Sequence, residues 1–235
     1  MKKVAFITGT SQGIGKSLAE LLLQKNYMVF GYSRTNNIKH PNFTFTNIDL
    51  SNLEKVQEFT FPNLVNSTFL LINNAGSIGE IIPLSLKKEN AIIREYNLNI
   101  IAPTLLCSKF IRSYIDQDKQ ILNIGSGAAN NPIASWSTYC SAKSALDMLT
   151  EVICVESYKK LKIFSVHPGI VDTKMQQEIR QTEDKHFPLV DKFRDYHNNN
   201  ELENPIIAAK KVYYIIQNFN GFTKNILSIR DIDLK

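Results

Sequence analysis

Residues 4–15 read VAFITGTSQGIG. Val4–Thr8 is a short apolar run of strand-forming residues, and it passes directly into a turn that holds Gly9, Gly13 and Gly15. Gly15–Lys25 then carries a helical pattern. A strand that turns through glycines into a helix lets the backbone approach a diphosphate closely. The helix N-terminus then faces the negative charge with its free N–H groups. Gly9, Ser11, Gln12, Gly13, Ile14 and Gly15 are therefore candidate cofactor-binding residues. The spacing is G-x-x-x-G-x-G, not the G-x-G-x-x-G of the standard dinucleotide fingerprint.

The rest of the chain repeats this alternation. Met28–Tyr32, Phe43–Ile48, Phe69–Asn73, Gln120–Ile124, Lys162–Val166 and Ile226–Ile229 read as further strands. Ser51–Phe59, Lys88–Tyr114, Thr138–Tyr158 and Pro205–Asn218 read as mainly helical. Strands that alternate with helices predict right-handed crossovers and a parallel sheet covered on both faces. The expected fold is α/β, a doubly wound parallel sheet of Rossmann type in a single domain spanning 1–235. One long polar insertion, 172–204, interrupts it and is expected to cover the substrate site.

Composition narrows the function. The 235 residues are 43% hydrophobic and 21% charged, as in an ordinary globular domain. The net charge of +5 is scattered, so no basic stripe with interleaved aromatics points to nucleic acid. No apolar run approaches the roughly 18 residues of a membrane span. The run Val4–Ile7 behind Lys2 and Lys3 is too short for a signal-peptide core. Cys107, Cys140 and Cys154 show no metal-ligand spacing, and reduced thiols in a cytoplasm are the expected state.

Other strand ends carry chemistry. The second expected strand ends in Ser33-Arg34, with no acid to hold an adenosine ribose and a cation in reach of a 2′-phosphate. That predicts NADP(H) over NAD(H). Asp49 is placed to accept from the adenine amino group, and Asn74, Ala75 and Gly76 to lie beside the cofactor. Either stretch could be plain turn chemistry. In STYCSAKSA, residues 137–145, Tyr139 and Lys143 are spaced to share one side of a helix.

Taken in order, T-G-x-x-x-G-I-G, N-N-A-G, Ser126, Tyr139-x-x-x-Lys143 and Pro168-Gly169 resemble the single-domain short-chain dehydrogenase/reductase family over essentially the whole chain. The resemblance implies a catalytic tetrad of Asn97, Ser126, Tyr139 and Lys143. In that scheme Tyr139 protonates the carbonyl oxygen, Ser126 positions it, and Lys143 lowers the tyrosine pKa and holds the nicotinamide ribose. Asn97 would hold a water linking Lys143 to solvent. The resemblance adds Pro168, Gly169, Val171 and Thr173 to the cofactor site. Trp136, Gly169 and Met175 join Ser126 as substrate-site candidates, with Trp136 open between core and pocket wall.

The second half is most similar to the sepiapterin reductases and bacterial benzil reductases, through WSTYC, ALDML and PGIVDTKMQ. That implies an NADPH-dependent reductase of a small-molecule ketone, a 1,2-dicarbonyl or pterin side chain, working as a homodimer or homotetramer. Ser228 stands where sepiapterin reductases carry a pterin-gripping Asp, with Asp231 and Asp233 shortly after. Alcohol oxidation, or a silent NADP-sensing protein, are the competing readings. His167 reads as structural.

Overall fold

The computed structural model describes residues 1–234. Seven strands form one sheet: β1 (Lys2–Thr8), β2 (Met28–Ser33), β3 (Phe43–Asn47), β4 (Ser67–Asn73), β5 (Lys119–Ile124), β6 (Leu161–His167) and β7 (Ile226–Ser228). Their order is β3-β2-β1-β4-β5-β6-β7, and every pairing is parallel. The central strands are buried on both faces, which is why VAFIT and FLLIN read as unbroken apolar runs.

Helices α1 (Gly13–Gln24) and α8 (Pro205–Gln217) cover one face, where Leu18, Leu22, Val212 and Ile215 are fully buried. Helices α2 (Leu53–Glu58), α3 (Glu89–Tyr96), α4 (Ala102–Ser113) and α5 (Ser137–Glu156) lie in the other half of the fold. The core they share with the sheet is aromatic: Phe69 stacks on Tyr114 at 3.8 Å, and Phe6 lies 5.0 Å from Phe61, edge to face. Tyr114 donates its hydroxyl to the Pro62 carbonyl at 2.7 Å, so this buried phenol is satisfied.

Two elements depart from the sequence reading. The single helix expected over Lys88–Tyr114 is split by a π turn, Asn97–Ile101. Pro103 sits in the first turn of α4 and has no N–H to give the Asn99 carbonyl. The chain widens instead, with the Ala102 N–H donating to Asn97 O, five residues back. The insertion 172–204 is also more ordered than a polar cover. It forms α6 (Lys174–Arg180) and α7 (Val190–Asn198), and buries Ile179, Phe187, Val190 and Phe193. Gln176, a polar residue of the insertion, is buried as well.

Candidate active site

The strand order reverses between β1 and β4, and an open α/β sheet binds its ligand in the crevice beyond the strand ends at that point. The glycine turn after β1 lines it. Gly9 has φ +74° and Gly13 φ +57°, conformations a side chain resists. A Cβ on Gly15 would collide with Asn74 Nδ2 and the Gly9 carbonyl. Gln12 caps α1 without a side-chain hydrogen bond, and the first turn holds no acid. The N–H groups and the positive end of α1 are therefore left to a ligand, and the turn fits a diphosphate.

Asn74 and Ala75 hold that turn in shape. Asn74 Nδ2 donates to the carbonyls of Thr8 (2.9 Å) and Gly9 (3.2 Å), and both backbone N–H groups donate to Thr8 Oγ1 at 2.9 Å. Thr8, unremarkable in sequence, is the hub of this brace. Opposite the turn, a Cβ on Gly13 would lie 3.1 Å from Thr173, so the start of the insertion passes over it. Val171 is buried and bridges to Glu203, whose carbonyl accepts the Asp172 N–H at 2.9 Å.

At the end of β2 the Ser33 hydroxyl donates to the Thr35 carbonyl at 2.7 Å. Arg34 is exposed, and its guanidinium has no hydrogen-bond partner among the described residues. Asp49 is already engaged: Oδ1 accepts from the Ser51 N–H (3.0 Å) and hydroxyl (2.7 Å), and Oδ2 lies 3.3 Å from Arg94. Partial burial pushes its pKa up, but the Ser51 hydrogen bonds and the charges of Arg94 and Arg34 outweigh that and hold it low.

Tyr139 and Lys143 are both buried on one face of α5. Lys143 Nζ donates to the Ile124 carbonyl at 2.6 Å and stands 5.7 Å from the Tyr139 ring centroid. Burial lowers the Lys143 pKa to about 8, against the pull of Asp147. Burial raises the Tyr139 pKa, with the hydrogen bond to Ser126 working the other way. In this structure the ammonium is aimed at Ile124, and burial outweighs the Ser126 hydrogen bond on the phenol. Ser126 caps the turn after β5, its hydroxyl accepting from the Ala128 N–H at 3.2 Å.

Asn97 is held elsewhere. Its amide donates to the Ser51 carbonyl at 3.1 Å, toward α2. Asn99, two residues on, is the one that faces Lys143. A Cβ built on Gly76 would be 3.1 Å from Asn99 Oδ1 and 3.8 Å from Lys143 Nζ. Asn99 also holds Ser77, accepting from its N–H (3.0 Å) and donating to its carbonyl (2.9 Å). Two steps along a helix reverse the face, so Asn97 and Asn99 point to opposite sides. Pro103, which forces the π turn, was the available signal.

Trp136 stacks on Phe187 (5.4 Å, 18°) and meets Tyr139 edge to face (5.8 Å, 85°), so it is both core and neighbour of the phenol. Met175 packs half-buried against the same cluster. Gly169 has φ +68°, and a Cβ there would lie 2.9 Å from Arg230 Nε. Ser228 pairs opposite His167 and caps a short turn by accepting the Arg230 N–H at 3.2 Å. Asp231 and Asp233 are exposed.

The family described as short chain dehydrogenase matches residues 3–184. The chain belongs to that family. Among its relatives, benzil reductase ((S)-benzoin forming) of Bacillus subtilis (strain 168) is 34% identical over 224 residues, covering 90% of this chain and 92% of the relative. The Bacillus cereus enzyme of the same description is 31% identical over 235 residues, covering 92% and 94%. Sepiapterin reductase of Bos taurus is 29% identical over 154 residues, covering 63% of this chain and 57% of that protein. The crystal structure of a Saccharomyces cerevisiae short chain dehydrogenase/reductase superposes with a TM-score of 0.84 at 23% identity, covering 98% and 97% of the two chains. This short chain dehydrogenase is thus an oxidoreductase by family, with a seven-stranded Rossmann sheet. No helix among the described residues is long and apolar enough to cross a membrane.

Proposed function

We propose that this short chain dehydrogenase is an NADPH-dependent carbonyl reductase acting on an aromatic 1,2-dicarbonyl compound or a pterin side-chain ketone. The observation that carries the reading is Tyr139, buried next to both the Lys143 ammonium and the Trp136 ring, in a fold whose β1 turn is lined by glycines. When bound, the cofactor supplies the hydride. Gly9, Gly13, Ile14 and Gly15 would hold its diphosphate, Arg34 its 2′-phosphate, Lys143 a ribose, and Pro168, Gly169, Val171 and Thr173 the far end.

The chain's own residues then do the proton chemistry. Ser126 donates to the ketone oxygen and orients it. Tyr139 gives its phenolic proton to that oxygen as negative charge develops there. Lys143 stabilises the phenolate left behind, and Asn99 across Gly76 offers a route by which the proton is replaced. Residues 172–204 cover the site: Phe187, Val190 and Phe193 pack with Trp136 and exclude water from the reacting oxygen. The relatives named as benzil reductases support the dicarbonyl substrate, and the absence of a carboxylate at Ser228 weighs against a pterin.

The exposed apolar side chains Met148, Val152 and Val155 on α5 support self-association as a homodimer or homotetramer. The three unpaired cysteines suit a cytoplasmic setting. The test is NADPH consumption with benzil, sepiapterin and acetoin, with Tyr139→Phe as control. Reduction of benzil ahead of acetoin, lost in Tyr139→Phe with NADPH binding kept, is expected. Cofactor binding without turnover on a broad diketone panel would instead mark a sensor.

A further inference from the structure

One turn beyond Lys143 on α5 is Asp147, a carboxylate only 5% exposed. Its Oδ1 accepts the Ser165 hydroxyl at 2.5 Å and its Oδ2 pairs with His167 Nε2 at 2.8 Å. An ionised carboxylate can only accept, so both partners donate to it. Ser165 and His167 alternate along β6 and so present the same face of the sheet to α5.

Gly125 leaves the room for this cluster. A Cβ there would lie 2.5 Å from Ser165 Oγ, 2.7 Å from His167 Cδ2 and 3.0 Å from Asp147 Oδ1. The residue before it, Ile124, supplies the carbonyl that accepts Lys143 Nζ. The carboxylate therefore abuts the same two-residue segment that receives the lysine. His167 leads straight into Pro168-Gly169. Three parts of the site, the catalytic helix, the Ser126 turn and the Pro168 turn, meet at one buried side chain.

We propose that Asp147 is the positioning residue of Lys143: it keeps the buried ammonium charged and holds that turn of α5 against Ile124–Gly125. The inference rests on reading Lys143 as catalytic. Ser165 and His167 satisfy the lone pairs of the carboxylate, but a buried carboxylate with hydrogen bonds alone is still costly, and Lys143 is the lysine cation one turn away. The groups facing the pair are few. On α5, Tyr139 precedes Lys143, and Glu151 follows Asp147 but engages Asn225 at 3.5 Å. From β6 come Ser165 and His167, and from the π turn comes the uncharged Asn99. The attraction of Asp147 is what opposes the effect of burial on Lys143.

The decisive measurement is the titration of Lys143 itself, by NMR of protein labelled with ¹³C-lysine, the signal assigned with Lys143→Arg. The wild-type signal is expected to titrate near pH 8. In Asp147→Asn the midpoint should fall by about one pH unit or more, the usual effect of removing a nearby opposite charge. The alkaline limb of kcat/KM should move to lower pH by the same amount, and Asp147→Glu should restore it. Asp147→Ser, smaller and equally uncharged, carries the same expectation if the Asn variant does not fold. A purely structural role predicts a lower melting temperature with the Lys143 midpoint unmoved in both uncharged variants, and that result overturns the proposal. The titration needs no turnover. A wild-type protein that reduces no ketone refutes the carbonyl-reductase reading separately.

Discussion

Replacing Lys143 by methionine is expected to stabilise the fold at neutral pH while abolishing activity. The folded pKa of Lys143 is about 8 against an ordinary value of 10.5, and burial is the main cause. That gap corresponds to roughly 3 kcal/mol, at about 1.4 kcal/mol per pH unit. The side chain is almost fully buried, so solvent screening takes little of it away. The sign follows from proton counting. The folded pKa is depressed, so from pH 8 to 10.5 the unfolded chain binds more protons, and stability rises with pH in that window. Below pH 8 the whole cost of the buried charge is present. Methionine keeps the aliphatic stem and removes the charge. Against the gain stands the hydrogen bond to Ile124, about 1–2 kcal/mol; the attraction of Asp147 is already contained in the folded pKa. A net gain of about 1–2 kcal/mol remains, or roughly 2–8 °C in melting temperature for a chain of this size. Thermal unfolding of both proteins at pH 7 and at about pH 9.5 measures it. The advantage should shrink at the higher pH, where the wild-type lysine has shed its proton. A variant less stable than wild type by the same margin at both values would refute the reasoning.

Gly15→Ala tests the glycine turn. A Cβ there meets backbone as well as the Asn74 amide, so overpacking of about 1–3 kcal/mol should exceed the helix-propensity gain of up to about 1 kcal/mol. Lower melting temperature and weaker NADPH binding are expected, while Gly221→Ala, which meets nothing within 4 Å, should change neither. Arg34→Ala should weaken NADPH by roughly tenfold or more and leave NADH nearly unchanged, as a lost charge-assisted phosphate contact requires. Equal wild-type kinetics with both cofactors would sink the NADP assignment. Asn99→Ala should cut kcat by roughly tenfold or more, and Asn97→Ala should leave it near wild type, in steady-state kinetics. The reverse order would return the role to Asn97.

The strands were legible because both faces of the sheet are covered, so each central strand is a compact apolar run that helical patterns do not imitate. The glycine turn was legible because backbone geometry there admits almost nothing else. The approach of Asn99 to Lys143 was hidden by a π turn, which no 3.6-residue pattern registers. The helices of the insertion were hidden by composition: α7 is polar on most of its surface, yet Val190 and Phe193 suffice to anchor it to Trp136.

Helix α5 shows why the second polar layer stayed out of sight. Its sheet-facing side carries Tyr139, Lys143, Asp147 and Thr150, all buried, while Met148, Val152 and Val155 on the other side are exposed. Read by hydropathy alone, the helix would be turned around. The inversion holds because three of these polar groups have partners on the sheet: Lys143 on Ile124, Asp147 on Ser165 and His167, and Thr150 accepting from Asn123, whose side-chain carbonyl oxygen accepts from Asn73. Such a stripe is a weaker stabiliser than leucines would be. Its value lies in fixing the rotation of α5 about its axis. A helix held by apolar contacts alone tolerates small rotations, whereas three hydrogen-bonded rungs do not. A rotation of one residue, about 100°, would carry Tyr139 away from Ser126. The polar stripe thus ties the placement of the reacting phenol to the sheet from which the glycine turn, Ser126 and Pro168 also emerge.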